Sequence, residues 1–144
     1  MSEIQAAYLW GQLEHANIIN EKRLSSWKLY YDSFNEDSND LFELQNIPDY
    51  CKHNGHIFYL KLKNLEQRMD FIKKLNAKNI MSVFHYVPLH LSVNGLKCSI
   101  FSGEDKYTSS ESSRLVRLPL WYGINSTDQN KVIRAVKNFF IDII

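Results

Sequence analysis

Cysteine, proline and glycine are all scarce in this chain, at two, three and five residues out of 144. Cys51 and Cys98 cannot build a disulfide framework and fit a reducing compartment. Charge of one sign is lacking too: 17 Lys and Arg against 16 Asp and Glu leave a net charge of +1. A general nucleic-acid or membrane-surface binder needs a basic excess, so neither partner is expected. No run of about 18 apolar residues exists to span a membrane. The opening residues have no basic stretch followed by an apolar one, so they do not read as a secretory signal, and a cytoplasmic protein is expected. The strings G-x-S-x-G, G-x-G-x-x-G, H-E-x-x-H and the Walker loop are missing as well.

What is present is ordinary globular material. Hydrophobic residues make up 44% and charged residues 23%. That composition excludes disorder as the main state, and the length suits one domain with a core of its own.

Residues 3–34 contain no Pro, and Gly11 is their only Gly. Apolar or small residues recur at Leu9, Leu13 and Ala16, then at Leu24, Trp27, Tyr31 and Phe34. The spacing predicts a helix on the order of 45 Å long. A globule of this size has a radius of gyration of about 14–15 Å, so one end of the helix should overhang. Ile4, Ala6, Ala7, Tyr8, Leu9 and Trp10 are apolar almost all round. Such a turn expects cover on every side, from another copy of the chain or from a missing part of a larger protein.

Residues 35–55 read as a surface loop, acidic between 36 and 40 and broken by Pro48. A β-α-β passage follows. Residues 57–62 alternate, with Phe58, Leu60 and Leu62 on one face. Asn64 with Gln67 predicts a capping box, and Leu65, Met69, Ile72 and Leu75 a helical stripe. Residues 80–86 return to β character, with Pro88 beyond them. Thr108 with Glu111 and Ser126 with Gln129 predict two further capping boxes. Between them residues 115–121 read as a third strand broken at Pro119. Val132, Val136, Phe139 and Ile143 line a terminal helix. The fold class is α/β, or α+β: a long helix and a small sheet of about three strands with flanking helices.

Chemistry concentrates in His85-Tyr86-Val87-Pro88-Leu89-His90. Two imidazoles and a phenol at a strand end can hold a phosphate or a sugar, or can be satisfied within the fold. Arg117, between Val116 and Leu118, points outward or needs an anionic partner. The hydroxyls of residues 108–113 open a helix and either cap it or help to bind an anion. Cys51, His53 and His56 lack the paired spacing of a zinc site, so no metal is expected.

Four strings carry a family likeness: residues 1–10, residues 56–59, residues 83–90, and Ser112-Ser113-Arg114-Leu115-Val116-Arg117-Leu118-Pro119-Leu120. Together they resemble the C-terminal part of the DegT/DnrJ/EryC1/StrS sugar-nucleotide aminotransferases, over nearly the whole chain. The resemblance implies the small C-terminal domain of a fold-type I pyridoxal phosphate enzyme. Residues 1–34 would be the interdomain helix, residues 35–144 the small domain, and the large cofactor-binding domain would be absent. It implies, for a full-length relative, pyridoxal 5′-phosphate, glutamate as amino donor, a dTDP-4-keto-6-deoxy sugar as acceptor, and a homodimer. The Schiff-base Lys would lie upstream, so this chain alone is expected to bind no cofactor and to be inactive, with no catalytic residue of its own. His85, Tyr86 and His90, with Tyr107 and Arg117, would belong to the substrate wall. Two other readings stand beside this one: a sugar-nucleotide or phosphate-binding module without catalysis, and a fragment that self-associates through its first helix.

Overall fold

A computed structural model describes residues 1–36 and 41–143. The acidic part of the expected 35–55 loop falls mostly outside these residues.

The N-terminal helical span is built as two helices. Helix α1 (Glu3–Glu14) starts at Ser2, whose hydroxyl accepts from the Gln5 N–H while the Gln5 side chain accepts from the Ser2 N–H. Helix α2 (Ala16–Asn35) follows after one non-helical residue, His15, at φ −106° and ψ 10°. The two helices fare differently. No residue of α1 is buried, and Ile4 is 83% and Tyr8 73% exposed. In α2 the buried residues are Ser26, Trp27, Tyr30 and Phe34, one face at helical spacing.

The sheet is antiparallel throughout, ordered β1-β2-β3, with β1 at Glu43–Leu44, β2 at Phe58–Lys61 and β3 at Leu115–Leu118. In β2 the expected alternation holds: Phe58, Leu60 and the following Leu62 have no exposed surface, while Tyr59 and Lys61 face outward. Val116 and Leu118 continue that inner face in β3. Three helices cover it: α2, α3 (Leu65–Ala77) and α6 (Ser126–Ile141). The core is aromatic where they meet, with Phe34 against Phe58, Phe42 against Phe140, and Phe71 against Phe139.

Several expectations change here. The short strand β1 lies inside the stretch expected as loop. Residues 80–86 do not form a strand but a single antiparallel bridge, Val83 with Arg117, on the free edge of β3. The sheet therefore contains no parallel β-α-β unit. In α3 the buried face is Arg68, Phe71 and Leu75, whereas Leu65 and Met69 are exposed. Phe71 packs against Phe139 of α6, so the buried face centres on Phe71 and Leu75 with Ile72 at its margin, and only the Leu65 and Met69 part of the expected stripe is left outside. The Asn64 side chain does cap α3, although the Gln67 side chain accepts from the Lys63 N–H rather than from Asn64.

Helix α6 is capped by Asn125, one residue earlier than expected, through its side chain on the Asp128 N–H. Gln129, freed from the cap, is buried and donates to the Ser26 carbonyl at 2.8 Å. Ile143 is half exposed rather than in the core. A 3₁₀ turn (Leu89–Leu91) and the short helices α4 (Val93–Cys98) and α5 (Thr108–Arg114) complete the chain. The expected box at Thr108 does not form: no side chain caps α5 from its preceding residue, and Glu111 turns to Lys61 and Arg114. Among the described residues no helix is long and apolar enough to cross a membrane.

Candidate functional site

Three of the expected site residues meet where the bridge joins β3. The Val83 N–H donates to the Arg117 carbonyl at 3.2 Å, and the Arg117 N–H to the Val83 carbonyl at 2.7 Å. This exchange holds residues 83–86 across the outer edge of the sheet. The His85 and Tyr86 rings stack, centroids 4.5 Å apart, and the peptide bond between them is cis. The Arg117 guanidinium lies over the Tyr86 ring, 5.7 Å from its centroid.

A cleft of about 320 Å³ opens beside them, with His85 and Arg117 in its wall together with His56, Met81 and Trp121. The His56 side of this cleft is set by a close approach. Gly55 sits at φ +59°, and a Cβ there would stand 2.9 Å from the Arg23 backbone, so glycine alone lets the loop seat against α2. Arg23 then donates to the His56 carbonyl at 2.6 Å.

Two polar atoms in this wall are buried without a hydrogen-bond partner, His85 Nδ1 and Arg117 Nε. Arg117 forms none of the ion pairs found among the described residues. Buried polar groups are nearly always satisfied, and one left over in a cleft points to a ligand or a catalytic role. A guanidinium flanked by an imidazole and a phenol can bind a phosphate, a carboxylate or sugar hydroxyls.

His90 belongs to a different cluster. Its Nε2 lies 2.8 Å from Asp105 Oδ2 and 3.3 Å from Ser109 Oγ, and Ser109 also donates to Asp105. Hydrogen bonds from Ser109 hold the Asp105 carboxyl below its usual range, with a further contribution from His90. A Ser-His-Asp relay needs the Ser and the Asp on opposite ring nitrogens. Here both contact one nitrogen, so the trio is a clamp that ties the 3₁₀ turn to α5 rather than a hydrolytic triad. Tyr107 is 75% exposed at the start of α5, and none of its contacts among the described residues joins it to Arg117.

Sequence reading missed two features. One is an ion network: Glu43 pairs with Lys61 at 2.8 Å and with Arg114, and Glu111 pairs with Lys61 at 2.7 Å and with Arg114 at 3.2 Å. Hydrogen bonds from Lys61 and then Arg114 hold the Glu43 carboxyl below the usual range. Hydrogen bonds that Lys61 donates to Glu111 and Glu43 raise its pKa. The other is Arg68, a buried cation on α3. No sequence signal marks either, since each is closed by residues far apart in the chain: Lys61 and Glu111 by 50 positions, Glu43 and Arg114 by 71, Arg68 and Ser112 by 44. No group of three metal-ligating side chains is found among the described residues.

The described residues of the cleft lack what a pyridoxal phosphate anchor requires. Its wall holds neither a lysine to form the imine nor a carboxylate to face the pyridine nitrogen. Lys61 is occupied by Glu43 and Glu111. These residues do not fit the cofactor's covalent anchor.

Comparison with known proteins places the whole arrangement. A family model described as the DegT/DnrJ/EryC1/StrS aminotransferase family matches residues 1–137. The chain is similar to the uncharacterized protein MJ1066 of Methanocaldococcus jannaschii, with 30% identity over 95% of this chain and 36% of that protein. It is similar in fold to a DegT DnrJ EryC1 StrS aminotransferase from Brucella abortus, at 26% identity and a TM-score of 0.80, covering 95% of this chain and 35% of that one. S. venezuelae DesV, solved in complex with a ketimine intermediate, aligns with a TM-score of 0.85 at 23% identity over 96% of this chain and 36% of its own. The chain thus spans about a third of the length of each of these relatives.

Proposed function

The chain belongs to the DegT/DnrJ/EryC1/StrS aminotransferase family, and from that premise we propose that it forms one part of a sugar aminotransferase and supplies a wall of its sugar-nucleotide site. The observation that carries this reading is the cleft whose wall holds His85 and Arg117, each with an orphaned buried nitrogen, and the Tyr86 ring packed against both side chains beside it. Arg117 neutralises a phosphate of the substrate. His85 hydrogen-bonds a phosphate oxygen or a sugar hydroxyl, and the Tyr86 ring packs on the sugar. His90 acts from farther off, through its clamp on the turn that follows the site segment.

In the finer form of the reading, the complete enzyme moves an amino group from glutamate to a dTDP-4-keto-6-deoxy sugar in the manner of dTDP-4-amino-4,6-dideoxygalactose transaminase. The family's cofactor, pyridoxal 5′-phosphate, supplies the electron sink for such a transfer. The lysine that anchors it belongs to a part of the enzyme other than this cleft, and this chain by itself does not transaminate.

Titration calorimetry with a dTDP-6-deoxyhexose tests the wall. Saturable binding is expected, weakened about tenfold by Arg117→Gln through loss of a charge-assisted contact. Equal affinity in Arg117→Gln and His85→Ala sinks the assignment. Adding pyridoxal phosphate tests the second clause: an aldimine absorbance band, lost on borohydride reduction and traced to one lysine, overturns it.

A further inference from the structure

Arg68 lies outside the cleft, yet it raises the same question more sharply. It is 8% exposed, at the second turn of α3. Its Nη1 donates to the Ser112 carbonyl at 2.8 Å, and its guanidinium lies 4.5 Å from the centroid of the Phe84 ring. Its Nε is buried without a partner. No carboxylate pairs with it among the described residues, although four ion pairs form around nearby Lys61 and Arg114. An arginine is almost never buried so deeply unless an anion compensates it.

The surroundings supply a place for that anion. A groove of about 440 Å³ runs along α3, lined by Arg68, Met69, Ile72, Lys73, Asn76 and Phe84. Its wall holds two cations and no carboxylate. Lys73 forms no ion pair among the described residues, and Asn76 adds an amide. Met69 is 61% and Phe84 41% exposed, which leaves apolar surface beside the charges. None of these six residues lines the cleft at His85 and Arg117.

We infer that this groove is a second binding site, taking a small organic anion whose phosphate or carboxylate meets Arg68 and Lys73 and whose apolar body lies on Met69, Ile72 and Phe84. The exposed position of Met69 has a reason on this view: with Ile72, half-buried at the margin of the core, it forms the floor of the groove. The site is independent of the sugar-nucleotide reading, because it shares no wall residue with that cleft.

Phenyl phosphate and benzoate are suitable probes, titrated into the full chain and followed by amide chemical shifts. Saturable shifts are expected at residues 68–76 and at Phe84. The tighter of the two probes identifies the head group, and inorganic phosphate, lacking the apolar body, should bind more weakly than phenyl phosphate. Lys73→Gln should weaken the tighter probe about three- to tenfold, and Met69→Asp should abolish its binding by adding a like charge at an exposed position. Both substitutions spare Arg68 and its bond to Ser112, so folding is retained. No saturable binding of either probe, shifts confined to the His85–Arg117 cleft, or an affinity unchanged in both variants overturns the inference.

Discussion

Single side chains decide more than their number suggests. Gln129 reaches from α6 to the Ser26 carbonyl in the core and is 3% exposed. Replacing it with leucine leaves that buried carbonyl without its donor and should cost about 1–3 kcal/mol, read as a lower midpoint in urea with an unchanged slope. Tyr30 is fully buried and donates to the Pro119 carbonyl at 2.9 Å, and burial pushes its phenol pKa well above the usual range. Phe58 touches Trp27, Tyr30 and Phe34 at once. Phe58→Ala should cost about 3–5 kcal/mol, checked in the same titration. Phe58, Leu60 and Leu62 are legible in the sequence because strand alternation is a local pattern. Gln129 is not: in the sequence it reads as the partner of a cap at Ser126, and the carbonyl it actually bonds lies 103 positions away.

At the scale of elements, the joint between β1, β2 and α5 is electrostatic. Glu43 and Lys61 are register partners across the β1–β2 ladder, and Glu111 and Arg114 close the network from α5. The Glu43 carboxyl is held below its unfolded value, so the stability it contributes is present at neutral pH and is lost as pH falls through its folded pKa, below the usual carboxylate range. Glu43 is half exposed, which limits the effect to about 0.5–1 kcal/mol. Melting curves of the parent and Glu43→Gln should differ at pH 7 and converge as the pH drops below about 4. A gap that persists at low pH counts against the ion network as its source.

This joint also shows why β1 escaped sequence reading. Two residues give no period, and what makes them a strand is pairing with Leu60 and Lys61. The strand expected at residues 80–86 fails for the converse reason. Its alternation is real, but β3 offers it only the bridge at Arg117. The starts of α3 and α6 were read to within a residue, because Asn64 and Asn125 cap by local chemistry, whereas the starts of α2 and α4 were not read. The site was half legible. The polar string at 85–90 stands out in the sequence, but only the fold separates His90, clamped by Asp105, from His85 beside Arg117.

Across the whole molecule, stability and exposed apolar surface are separated. The core is enclosed by α2, α3, α6 and the sheet, while α1 buries nothing. Removing residues 1–14 should shift stability by no more than about 0.5 kcal/mol, measured by thermal or urea unfolding. Tyr8 and Trp10, at 73% and 67% exposure, contribute instead to a surface that gains by being covered. Sedimentation of the full chain and of the shortened one reads that surface directly: association that disappears on removing residues 1–14 is expected if copies cover each other through α1.

The single bridge between Val83 and Arg117 has a consequence for measurement. Among the described residues, the amides of Val83 and Arg117 are the two that report whether the site segment is docked on the sheet. Tyr86 meets β3 through its ring, under the Arg117 guanidinium. Deuterium uptake at the Arg117 amide therefore times the opening of the substrate wall, apart from unfolding of the sheet, whose neighbouring amides stay protected until β2 and β3 part. A ligand that holds the wall closed should slow uptake at those two positions first.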